Sequence, residues 1–145
     1  MMNTPISIEE ELNRSGKIVY KIKGHSMYPM LRQEKDLVVI KKNTGIIHPG
    51  DVVLYKRAKD NALVLHRVIK INEDHLVIRG DHTLSNEKVH ASQIIGLLES
   101  YIRNNKAIVC GSLPDKLYRL TVPILRFLYC LKYRIFRYLK KQRNS

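Results

Sequence analysis

Between Lys17 and about Arg103 the chain reads as strand after strand, with no helix-length apolar period to interrupt them. The runs are Ile18-Val19-Tyr20-Lys21-Ile22-Lys23, Asp36-Leu37-Val38-Val39-Ile40-Lys41, Asp51-Val52-Val53-Leu54-Tyr55-Lys56, residues 62–71, and His75-Leu76-Val77-Ile78-Arg79. Each is rich in β-branched residues, and Asn43-Thr44-Gly45, Pro49-Gly50, Lys59-Asp60-Asn61 and Asn72-Glu73-Asp74 punctuate them. Strands that follow one another without crossover helices must pair antiparallel, so the expected fold is mainly β and partly closed. A polar loop is expected over 80–92, then a last hairpin from 93–102 to 106–109 through Asn104-Asn105. In front of the strands, Ser7-Ile8-Glu9-Glu10 is a capping-box pattern and Gly16 a stop signal, which predicts a short helix over 7–14.

Residues 114–145 are different in kind. They carry nine Lys/Arg against one Asp, whereas residues 1–113 carry seventeen against twelve acids. Most of the formal charge of +13 therefore belongs to the tail and points to an anionic partner for it. Helical periodicity over 115–142 gathers Lys116, Arg119, Arg126, Arg134, Arg137, Lys140 and Lys141 on one side. Leu117, Leu120, Ile124, Phe127, Leu128, Leu131, Ile135, Tyr138 and Leu139 fall opposite, while Lys132 and Arg143 break the pattern and Pro123 predicts a kink. So many charges make a bilayer span costly, and an interfacial helix is expected. On this reading Arg119, Arg126, Arg134, Arg137, Lys140 and Lys141 bind an anionic membrane surface; a membrane-protein partner would use the same pattern. Nucleic acid fits less well, because the tyrosines mostly lie off the basic sector. The expected division is a β domain over 1–113 and a basic amphipathic tail over 114–145.

Chemistry concentrates in a few residues. Ser26 lies in Gly24-His25-Ser26-Met27-Tyr28-Pro29-Met30-Leu31, a turn bracketed by Gly and Pro, and His66 lies on a strand forty residues on. Serine needs a base to become nucleophilic, and a side chain titrating near neutrality is the commonest one. Taken singly, Ser26 is a turn residue and His66 a half-buried strand residue. Met27 and Met30 would either line a substrate cleft or pack the core. His25 and His82 have no Cys or spaced acids to make a metal set, and no cofactor is expected. Cys110 and Cys130 read as free thiols.

The box series Gly24–Leu31, Gly50-Asp51-Val52-Val53, His66-Arg67-Val68-Ile69 and Arg79-Gly80-Asp81 resembles that of the S24/S26 peptidases, the signal peptidases and self-cleaving SOS-type repressors. The resemblance covers about residues 17–98. It implies a signal-peptidase-like β-fold with Ser26 as nucleophile. His66 takes the place of the base, as in the endoplasmic-reticulum and archaeal-type branch, and Asp81 that of the acid orienting it. A second family acid lies several residues further on, where Glu87 is nearest although aspartate is usual. The first twenty residues contain Glu9-Glu10-Glu11 and no long apolar run, so neither a secretory signal nor an N-terminal anchor is expected. The resulting expectation is a serine endopeptidase cleaving a leader or signal segment of a precursor at the cytoplasmic face of a membrane. The competing reading is an inactive peptide-binding or partner-docking module on the same fold.

Overall fold

The computed structural model describes residues 7–143. Helix α1 (Ile8–Ser15) starts on a complete capping box, with Ser7 Oγ accepting from Glu10 N and the Glu10 carboxylate accepting from Ser7 N. It ends at Gly16, whose left-handed φ of 73° suits a residue without a Cβ. The strands follow as β1 (Lys17–Lys21), β2 (Leu37–Lys42), β3 (Val52–Lys56), β4 (Leu63–Ile71), β5 (Leu76–Arg79), β6 (Glu87–Val89), β7 (Ile94–Arg103) and β8 (Lys106–Val109). The expected runs are all present. β6 is the addition: it lies inside the stretch expected to be loop, because three residues with two charges give no alternating apolar signal.

All pairings are antiparallel and make one sheet in the order β1-β2-β7-β3-β4-β5-β6, with β8 on β7. Its central strand β3 is buried on both faces. Val52 and Leu54 enter a core with Leu12, Ile18, Ile40 and Leu98, while Val53 and Tyr55 enter a second with Val68, Leu76, Ile78 and Val89. Burying a Val or Leu side chain contributes about 1.5–3 kcal/mol, so the two clusters dominate the stability of the sheet. The alternation also decides where the polar residues go. His66 sits opposite Val53 and therefore faces the second core, whereas Arg67, opposite Val52, faces the first.

Helix α2 (Leu113–Arg143) runs on through Pro123. Its first half leans on the domain. Val122 is buried, the Tyr118 hydroxyl donates to Asp81 (3.0 Å), Arg119 Nη2 donates to Pro49 O (3.0 Å), and Tyr129 packs at a tilt against His82 at 4.0 Å between centroids. Arg119 and Arg126 therefore do not reach outward as expected of membrane ligands. Arg119 lies over Gly50 and beside Asp115, and Arg126 is half-buried with its Nε out of reach of any described acceptor. The domain packs on the basic side of the helix's first half, which the periodicity of the segment alone does not specify. Arg134, Arg137, Lys140 and Lys141 lie on the exposed second half. Among the described residues no helix is long and apolar enough to cross a membrane.

Candidate active site

Ser26 occupies the turn that follows β1. The turn is closed by Tyr28 N donating to His25 O (3.0 Å) and Leu31 N to Met27 O (2.9 Å), and the Tyr28–Pro29 peptide is cis. Met27, Met30 and Leu31 plug it into the first core, leaving Ser26 half-exposed. From the other side the segment after β5 is tied to the turn: His82 N donates to Ser26 O (2.8 Å), and Thr83 N and Oγ1 both donate to Gly80 O (3.1 Å). A Cβ placed on Gly80 would lie 2.5 Å from Ser26 O and 3.0 Å from His66 Nε2. Gly80 is thus the point at which the turn and the imidazole converge, and no side chain fits there.

His66 is buried, and its Nδ1 faces two oxygens at 3.3 Å: Tyr55 Oη and Glu87 Oε1. Tyr55 gives its one hydroxyl proton to Glu87 Oε2 (2.9 Å), so both oxygens can only accept from Nδ1. The tautomer this favours carries hydrogen on Nδ1 and leaves a lone pair on Nε2, the nitrogen nearest Gly80 and the serine turn. Burial pushes the imidazole pKa below its ordinary value of 6.5; the Glu87 carboxylate pulls the other way without winning. At neutral pH the ring is therefore an uncharged base. No hydrogen bond joins Ser26 Oγ to the ring, a slack common in sites without substrate.

The carboxylate at His66 Nδ1 is accordingly Glu87 and not Asp81, the acid expected there. The register Val68↔Ile78↔Glu87 places Glu87 on the face shared by His66, Tyr55 and Ile78. Asp81 turns to the other side, where Arg67 grips it through Nε–Oδ1 (2.9 Å) and Nη2–Oδ2 (2.8 Å) and the Tyr118 hydroxyl donates to it as well. Arg67 also donates to Gly50 O (2.9 Å) and Met30 Sδ (2.9 Å). A second fork, Arg103 on the fully buried Asp36, reaches Met30 O at 2.8 Å. The two guanidinium groups hold the exit of the serine turn from both sides.

A groove of about 740 Å³ runs past Ser26 and His66, lined by Tyr20–Gly24, Met27, Leu31, residues 62–66, Thr83, Ser85 and Glu87. Met27 is in its wall. Met30 takes the other place left open for it: it is buried under Arg67, in the core and as an acceptor, and not in the groove wall. Two backbone edges border the groove. Among the described residues β1 pairs only with β2, and residues 63–66 of β4 pair only with β3 because β5 joins at Arg67.

The Peptidase S24-like family model matches residues 3–99, two thirds of the chain, so the chain belongs to that family of peptidase-fold proteins. No curated protein matches its sequence. The matched span holds Ser26, His66, Gly80, Asp81 and Glu87 and stops short of α2.

The two carboxylates predict opposite phenotypes. Asp81→Asn leaves Arg67 charged and buried without its counter-ion, and urea unfolding should register a loss of about 3–5 kcal/mol. Glu87→Gln, at a half-exposed position, should cost less than about 1 kcal/mol. A stable Asp81→Asn protein beside an unstable Glu87→Gln protein would reverse the assignment of roles.

Proposed function

We propose that the chain is a serine endopeptidase in which Ser26 attacks a peptide carbonyl and His66 takes and returns the proton. The observation that carries this reading is the convergence at Gly80. A strand histidine with its Nδ1 occupied and its Nε2 lone pair turned toward a serine turn has the arrangement a general base requires. Glu87 and Tyr55 fix the tautomer and stabilise the imidazolium that forms as Ser26 loses its proton. The Ser26 and Met27 N–H groups, at the mouth of the turn, donate to no described residue and can face the developing oxyanion. The Ser–His pairing supports the branch expected from the sequence, in which histidine replaces lysine as the base.

The substrate is an extended segment. Its backbone would add to the free edges of β1 and of residues 63–66, with its side chains over Met27, Leu31 and Leu65. The leader or signal segment of a precursor has this extended, apolar character.

In cleavage of a proteome-derived peptide library read by mass spectrometry, Ser26→Ala and His66→Ala should each lower the rate at least ~10³-fold, with no further loss in the double variant. Wild-type cleavage by either single variant would remove the assignment. A wild-type protein that binds library peptides but cuts none would favour a peptide receptor on the same fold.

The acid limb of kcat/KM follows from the burial of His66. Because its pKa lies below 6.5, activity should hold as pH falls through 6.5 and be lost only beneath that value. Whatever stability the neutral ring contributes is likewise full above 6.5 and lost as pH falls through the lowered pKa. Glu87→Gln removes the group that raises the pKa, so its acid limb should move further down while the plateau rate drops. An acid limb that moves upward would contradict Glu87 as the imidazole's partner.

A further inference from the structure

Helix α2 presents two opposite faces with different surroundings. Asp115, Tyr118, Arg119, Val122, Arg126 and Tyr129 fall on one side at 3.6 residues per turn, and this side meets the domain. The reverse side is an apolar stripe over residues 117–139, with Leu120 73 % and Phe127 67 % exposed. Along its margins run Lys116, Arg134 and Lys141 on one flank and Lys132 and Arg143 on the other. The two cations that broke the sequence pattern thus form the second flank.

We propose that α2 is an interfacial membrane helix: the stripe over 117–139 enters the headgroup boundary of an anionic bilayer, both cationic margins meet lipid phosphates, and the peptidase domain rides on the opposite face. Charge selects the occupant. The helix's one carboxylate, Asp115, is buried and accepts from Gly111 N, so the outward surface carries no acid. A second copy would set cation against cation along both margins, whereas an anionic leaflet offers a continuous negative surface. Basic residues beside an apolar stripe too charged to span are what such binding requires. The docked helix would also bring the groove to the membrane, because Tyr118 and Tyr129 hold the segment at Asp81 and His82 that cradles Ser26. The surface is independent of the chemistry at Ser26 and is tested without it.

The test is flotation of the full chain with phosphatidylcholine vesicles containing or lacking phosphatidylglycerol. The wild type should float with the anionic vesicles and be released by salt. Leu120→Asp/Phe127→Asp and, separately, Lys132→Glu/Arg134→Glu should each weaken partitioning at least about tenfold. All four positions are exposed, so thermal unfolding of the domain should not change. In a Phe127→Trp protein the fluorescence should shift to the blue on anionic vesicles and be quenched by brominated acyl chains. Absence of flotation, equal binding by the charge-reversed variant, or a solution dimer that Leu120→Asp/Phe127→Asp disrupts would overturn the proposal.

Discussion

The buried fork between Arg67 and Asp81 sets the geometry of the whole site. Arg67 occupies the position next to His66 on β4, so alternation along the strand sends the two side chains to opposite faces. Gripping Asp81, Gly50 O and Met30 Sδ at once, Arg67 ties together three segments far apart in sequence. Two of them, the serine turn and the segment after β5, carry Ser26 and Gly80. A buried ion pair is a weak source of net stability, since desolvating both charges offsets most of their attraction. Its value here is geometric: neither segment can shift without stranding a charge.

On the other face of the same strand the electrostatics run in reverse. His66 is buried beside a carboxylate that is itself half-exposed and partly engaged by Tyr55, so the pull of Glu87 does not overcome the cost of burying a cation. The ring stays neutral at neutral pH, with the Glu87 carboxylate held at its Nδ1. One strand thus delivers, at adjacent positions, a permanently charged group that holds the fold and an uncharged imidazole on the opposite face.

Local chemistry made much of this readable in advance. The capping box at Ser7 and Glu10, the β-branched runs, and the Gly- and Pro-bounded serine turn all act over a few residues, and the structure forms them where the pattern places them. The carboxylate was different. Whether Asp81 or Glu87 meets His66 depends on the register β4-β5-β6, and β6 has three residues with no alternation to announce it. Asp81 lies within the last box that carries the resemblance, while Glu87 reaches the ring only through strand pairing. Met27 and Met30 stay open between cleft and core in the sequence for a related reason: apolar residues flanking Ser26 look alike until one is found beneath a guanidinium. In α2 the periodicity separated apolar from basic correctly, but only packing could reveal that the domain takes up Arg119 and Arg126 and leaves the apolar side bare.

The most direct test of the account concerns one proton on His66. Nitrogen-15 NMR of the imidazole at neutral pH should find hydrogen on Nδ1, held between Tyr55 and Glu87, and an unprotonated Nε2 available to Ser26. A ring found with hydrogen on Nε2, or already doubly protonated at pH 7, would have no lone pair to offer the serine and would contradict the mechanism.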